Sequence, residues 1–297
     1  MRGSIPTPGP DTAHFGGNTA CVEVRADGQL IILDAGTGIR PLGLALVKEF
    51  KRHPVTAAIL LTHTHWDHIQ GFPFFVPAYN SRNHIRILGF EGTKEGLVKT
   101  LSSQMESPYF PIALQSLPGY IQMDQLKDME FNLGPIRVRA MFMNHPGVCV
   151  GYRLDTSAGS VVFIPDNEAH VRLKTTPLPD SDPAQDPESL QYAQKQDDKL
   201  IEFVRDADVL IMDAQYDAEE YPGHVGWGHT CVDDTVEIAI RAGVKSLFLF
   251  HHDPGHDDAH VTKMQEHARK IARRRAPHMK VAAAREGAEC VLPAKNG

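Results

Sequence analysis

Short apolar runs punctuated by Gly, Pro and polar residues recur along this chain, with longer stretches of helical apolar spacing between them. Short runs rich in Val, Ile and Leu read as buried strands. They fall at residues 18–24, 30–33, 57–61, 85–90, 136–142, 148–154, 160–164, 209–212 and 246–250. Asp27-Gly28, between the first two, is a hairpin signal. Helical spacing is found over 41–50, 92–105 and 197–205. It recurs around Val232, Val236, Ala239 and Ile240, and again around Val261, Met264, Ala268 and Ile271. Thr230 is placed to cap the fourth of these helices and Gly243 to end it. The Gly- and Pro-rich segment up to Gly17 reads as a surface loop. Residues 72–130 are irregular outside 85–90 and 92–105. Residues 174–194, with Pro177, Pro179, Pro183 and Pro187 among acidic residues, read as a loop insertion. The same strand-and-helix grammar resumes after that insertion, and no internal repeat is visible. Residues 1–297 therefore read as a single α/β domain.

Composition narrows the picture only a little. Apolar content of 42% and charged content of 23% are those of an ordinary globular chain. The net charge of −7 argues against general nucleic-acid affinity, which rests on basic surface. Cys21, Cys149, Cys231 and Cys290 are far apart and form no C-x-x-C pair, so neither a disulfide framework nor a thiolate metal site is expected. The first residues lack a signal-peptide apolar stretch, and no apolar run is long enough to span a membrane. A cytoplasmic location with no membrane partner is the expectation.

Chemistry changes the picture far more. The strand at 57–61 runs directly into His63-Thr64-His65-Trp66-Asp67-His68. In extended backbone, residues two apart face the same side, so His63 and His65 can grip one cation. A turn then lets Asp67 and His68 face a second position. Imidazole and carboxylate are the ligands that divalent zinc takes where no thiolate is present. His145, Asp166 and the pair His251-His252 each follow a predicted strand, and strand ends along one sheet edge can converge.

With these residues the chain resembles the metallo-β-lactamase-fold hydrolases: H-x-H-x-D-H, then His145, Asp166 and His251 in the family's order. Asn144-His145 before Gly151-Tyr152-Arg153-Leu154, and Gly228-His229-Thr230 ahead of a helix, are similar to the ribonuclease Z and small-phosphodiesterase branch. The resemblance implies a four-layer αββα sandwich holding two divalent metal ions, Zn(II) first, with Mn(II) or Fe(II) as alternatives. His63, His65 and His145 would hold one ion. Asp67, His68 and His251 would hold the other, with Asp166 bridging and Asp34 hydrogen-bonded to a ligand histidine. Two features depart from the family pattern: Pro165 stands before Asp166 where Gly is usual, and His252 competes with His251 for the last ligand position. The resemblance also implies a homodimer.

Two cations held close together can share a hydroxide near neutral pH and neutralise charge building on phosphate oxygens. Asp67 is then a metal ligand that can orient the nucleophile. His229 is the candidate proton donor to the leaving oxygen, with a structural histidine at a helix start as its alternative. His224 and Trp227 are candidates for the same pocket. The expected function is hydrolysis of a small phosphodiester such as a cyclic nucleotide. The alternatives are a lactone or thioester hydrolase, a tRNA 3′-processing nuclease and a non-catalytic nucleotide-binding module.

Overall fold

The computed structural model describes residues 1–90, 96–176 and 187–293. Strands β1 (Val22–Ala26) and β2 (Gln29–Leu33) form the hairpin signalled by Asp27-Gly28. Helix α1 (Ile39–Phe50) leads to β3 (Thr56–Leu61), the short α2 (Trp66–Ile69), β4 (His84–Gly89), α3 (Gly96–Ser103) and β5 (Tyr120–Gln125). These strands form one sheet in the order β1-β2-β3-β4-β5, parallel from β2 onward. The second sheet holds β6 (Glu130–Leu133), β7 (Ile136–Phe142), β8 (Val150–Asp155), β9 (Ser160–Ile164), β10 (Val209–Asp213), β11 (Ser246–Phe250) and β12 (Lys280–Ala283). Its order is β12-β11-β10-β9-β8-β7-β6. Four helices accompany it: α4 (His170–Thr175), α5 (Pro187–Val204), α6 (Val232–Arg241) and α7 (Asp258–Arg275).

Strand alternation sorts the apolar residues into layers. Ile31, Leu33, Leu60 and Leu88 point from the first sheet into a core shared with Val138, Tyr152, Leu154, Phe163, Ile211 and Phe250 of the second. Their neighbours Ile32, Ile59 and Ile87 point the other way, onto Leu46 of α1 and Leu97 and Leu101 of α3. On the far side, Val162, Leu210, Met212 and Leu249 pack on Leu200 and Val204 of α5, Val236 of α6 and Met264 of α7. Three apolar layers between four layers of elements make the αββα sandwich. Strands buried on both faces explain why the chain reads as unbroken apolar runs.

Some sequence expectations change. The loop insertion at 174–194 is shorter: α4 ends at Thr175 and α5 begins at Pro187, with 177–186 outside the described residues. Proline fits the first helical position, where its missing N–H costs nothing. The buried stripe of Ala193, Asp197, Leu200, Ile201 and Val204 then extends that helix well before residue 197. The start expected for α3 at residue 92 also lies outside the described residues. Finally, the N-terminal segment is not a surface loop throughout. Met1 and Arg2 are buried, and the Arg2 guanidinium donates to the carbonyls of Gly16, Asp253 and His256.

Candidate metal centre

The parallel strands of both sheets point their carboxyl ends toward one edge, and the predicted residues gather there. β3 ends at Leu61, and the chain continues extended through His65 before turning into α2 with Asp67 and His68. His145 follows β7, Asp166 follows β9 and His251 follows β11. Asp166 stands between two groups. Its Oδ2 is 3.5 Å from both His63 Nε2 and His145 Nε2. His145 Nε2 in turn faces His65 Nδ1 at 2.9 Å. The other oxygen, Oδ1, is 3.2 Å from His68 Nε2 and 3.4 Å from His251 Nε2. Each of those nitrogens lies 3.2 Å from Asp67 Oδ2. Burial alone would raise the Asp166 pKa, but the imidazoles facing it, His251, His68 and His63, outweigh that and hold the carboxylate well below its usual range.

The imidazoles are held from behind. His68 Nδ1 donates to Asp34 Oδ2 at 2.7 Å, as expected for Asp34, and Asp34 Oδ1 accepts from the Thr62 backbone N–H at 2.8 Å. His145 Nδ1 donates to the Gly228 carbonyl at 2.9 Å and His251 Nδ1 to Gln215 Oε1 at 2.8 Å. A proton fixed on Nδ1 leaves Nε2 as the lone-pair nitrogen aimed inward. Among the described residues, His63 Nε2, His68 Nε2 and Asp166 Oδ1 are buried without a hydrogen-bond partner. Orphaned buried polar atoms are rare and call for an explanation. A pair of divalent cations fits: His63, His65, His145 and Asp166 bring donors within 4.8 Å of one another, and so do Asp67, His68 and His251.

Residues 29–174 match the family described as beta-lactamase superfamily domain. A ribonuclease Z of Thermoplasma acidophilum is 26% identical over 277 residues, covering 84% of this chain and 84% of the relative. Two solved structures show the same architecture. The metallo-beta-lactamase fold protein YhfI from Bacillus subtilis is 17% identical, with TM-score 0.62, over 96% of this chain and 94% of that one. The short form of human tRNase Z is 16% identical, with TM-score 0.61, over 99% and 97%. The chain is a metallo-β-lactamase-fold protein.

Within this metallo-β-lactamase-fold site, His63, His65, Asp67, His68, His145, Asp166, His229 and His251 are brought to one place. The competition between His251 and His252 resolves geometrically. His251, at φ 60°, turns its ring inward, whereas His252 Nε2 donates to the Ala284 carbonyl at 3.0 Å. Pro165 does not displace Asp166. His229 stacks on His251 with ring centroids 4.8 Å apart, and its Nδ1 donates to Asp213 Oδ2 at 2.8 Å. Burial works to lower the His229 pKa, but the Asp213 charge and hydrogen bond outweigh it and raise it to about 9. Asp213 also accepts from the backbone N–H groups of Asn167 and Gln215, at 3.2 and 2.9 Å, so we place the shared proton on the imidazole. His224 stacks on Tyr216, whose ring lies 6.3 Å from that of His229, while Trp227 is exposed beside His224.

Several contributions were missed in the sequence. Asp213 closes β10, and as a lone acidic residue at a strand end it carried no mark in the sequence. Gln215 and Thr62 are neutral residues with no spacing signal. Glu168 accepts from Gly226 N at 2.8 Å, from Gly228 N at 2.9 Å and from the Tyr221 hydroxyl, and so anchors the Gly-rich loop ahead of His229. Gly228 has φ 85°, and a Cβ there would lie 2.5 Å from His145 Nδ1, so only glycine can bring its carbonyl to that ring. At the other end of the chain, Ser4 N donates to Asp67 Oδ2 at 2.8 Å, an unexpected part for the N-terminal segment.

Proposed function

We propose that the protein is a metal-dependent hydrolase that cleaves a phosphodiester in RNA in the manner of a 3′-processing ribonuclease. The observation that carries this reading is the hydrogen-bonded His229–Asp213 pair set against the two donor groups that share Asp166. It supports a site with two cation positions and a proton donor on one wall. The ribonuclease Z relative, matched over most of both chains, supports RNA as the substrate class. The expectation against nucleic acid rested on the net charge and on the lack of a long basic, Gly-rich arm, and that relative weighs against it.

The residues divide the work. His63, His65 and His145 would hold one cation, and Asp67, His68 and His251 the other, with Asp166 shared. Bound there, the cations would supply Lewis acidity toward phosphate oxygens and lower the pKa of a nucleophilic water. Water oxygen bonds to phosphorus, its released proton passing to solvent, and the bond from phosphorus to the leaving oxygen breaks. The His229 imidazolium gives its proton to that leaving oxygen, and Asp213 keeps the ring oriented and charged. Ser4 N and Gln215 fix Asp67 and His251, so these groups need not reorganise during the reaction.

A second reading, a small diester such as a cyclic nucleotide, has its own support. Residues 175–186 carry Asp180, Asp182 and Asp186 and no Lys or Arg, and the net charge is −7, which suits a small substrate better than a long polyanion. The deciding experiment offers metal-loaded protein a precursor tRNA with a 3′ trailer, a cyclic nucleotide, bis(p-nitrophenyl) phosphate and a nitrophenyl carboxylic ester. Trailer removal at a single position supports the RNA reading. Cleavage of the cyclic nucleotide without trailer removal moves the small diester to first place. Cleavage of the carboxylic ester alone would sink both.

A further inference from the structure

A second gathering of metal-ligand side chains lies outside this centre, where the segment after β10 meets the start of α7. His256 Nε2 is 2.8 and 3.0 Å from the two carboxylate oxygens of Glu220. His260 Nε2 is 3.3 Å from Asp217 Oδ2 and 4.0 Å from Glu220 Oε2. The two imidazoles stack nearly parallel, with centroids 3.8 Å apart and planes at 14°, so both Nε2 edges face the same carboxylates. We propose that Glu220, His256 and His260, with Asp217 at the rim, form a further divalent-cation site that clamps the loop carrying Gly228 and His229 to α7.

Three features favour a cation over a simple hydrogen bond. A hydrogen-bonded pair needs one imidazole and one carboxylate, whereas here two of each converge. Donors around one Zn(II), at about 2.0–2.2 Å each, stand roughly 3–3.5 Å from one another. The spacings here bracket that value, and the donors of Glu220, His256 and His260 all lie within 4.8 Å of one another. The cluster is also preorganised. Asp217 Oδ1 accepts from the backbone N–H groups of Glu219 and Glu220, and Glu220 Oε2 from Asp217 N, which fixes both carboxylates in one tight turn. His256 Nδ1 is buried and has no hydrogen-bond partner, so nothing on that side commits the ring to carrying its proton there or on Nε2. His256 is buried, while Glu220 and His260 are each about one-third exposed, which leaves an entry path from solvent.

The donor set of two imidazoles and carboxylate oxygens suits Zn(II) or a similar first-row cation. Its position gives it a consequence. The turn at Asp217–Glu220 leads within a few residues to the Gly-rich loop, and Gln215 bridges from His251 to Asp253 Oδ2, three residues before His256. A cation here would hold the wall of the principal centre without touching substrate. The site stands whether the substrate is RNA, a small diester or neither.

Zinc alone is the probe. Chelator-stripped protein is reloaded with excess Zn(II), desalted, and its metal content measured by elemental analysis, with circular dichroism to report the fold. The wild-type chain is expected to retain one more ion than His260→Ala or Glu220→Gln. An Asp67→Ala chain, deprived of a ligand in the principal centre, is expected to retain the extra ion. Equal zinc content in wild type and the two cluster variants overturns the site. If His260→Ala does not fold, Glu220→Gln decides, because glutamine keeps the side chain's shape and removes its charge.

Discussion

The two sheets supply the candidate metal centre in unlike ways. The first delivers His63, His65, Asp67 and His68 from a single loop, and their relative positions follow from a few bonds of extended chain and one helical turn. The second delivers His145, Asp166, Asp213 and His251 one at a time, each at the end of a different strand, so their convergence depends on strand register. Met212 pairs with Ile164 and Asp213 with Phe250, which brings the ends of β9, β10 and β11 level. A contiguous motif states what can be bound. Residues scattered over strand ends decide whether the binding is completed, bridged and coupled to a proton donor.

The sharpest way to break this comparison is at Asp166, the one side chain of the second sheet that meets both donor groups. Asp166→Asn keeps the shape and removes the shared charge. Lewis-acid stabilisation is worth several kcal/mol, and each tenfold in rate takes about 1.4 kcal/mol. The expected loss in turnover is therefore on the order of 10³-fold, with metal content falling in parallel. A variant that kept both ions and near-normal turnover would mean that the four residues of the first loop suffice.

His229→Asn probes the second sheet without removing a ligand. Metal content is expected to stay at the wild-type level, while turnover on an alkyl or ribose leaving group falls about 10²-fold or more. On bis(p-nitrophenyl) phosphate the loss should be much smaller, because nitrophenolate departs without a proton. Equal losses on both substrates would make His229 a structural residue.

The same contrast governed what could be read from the sequence. The candidate ligands of the first loop were legible because they are contiguous and follow an apolar strand. His145, Asp166 and His251 were legible only once that loop had raised the question of further ligands. Asp213 escaped because a lone acidic residue at a strand end has no distinguishing mark until a histidine is seen against it. The strand β5 was hidden by polar alternation at a sheet edge, and the start of α5 by its position beside a proline-rich run. The N-terminal contact with Asp67 is made by a backbone N–H, which no side-chain pattern can announce.

Two buried carboxylates, one behind each sheet, allow a finer test. Asp34 fixes His68 from the first sheet and Asp213 fixes His229 from the second. Asp34→Asn is expected to weaken metal affinity by about 10–100-fold, as removal of such supporting hydrogen bonds does. Asp213→Asn should leave affinity close to wild type and lower turnover instead. Competition with a chromophoric chelator separates the two outcomes. If both variants lost affinity equally, His229 would belong with the ligands and not with the proton donor.

The smallest expected effect tests the seam between the sheets. The Tyr152 hydroxyl, fully buried on β8, donates to the carbonyl of Leu61 at 2.7 Å, at the last residue of β3 before the metal-binding loop. This bond is a direct polar link from the second sheet to the strand that launches the first sheet's ligands. Tyr152→Phe keeps the ring and its packing and removes only the hydroxyl. A hydrogen bond of this kind is worth about 0.5–1.5 kcal/mol net, which in a chain of this size lowers the melting temperature by roughly 2 °C. If the loop geometry is set locally by β3 and α2, turnover should change less than twofold once the protein is folded and metal-loaded. A drop well beyond that, with metal content intact, would show that the second sheet also aims the contiguous motif, and the division of labour between the sheets would have to be redrawn.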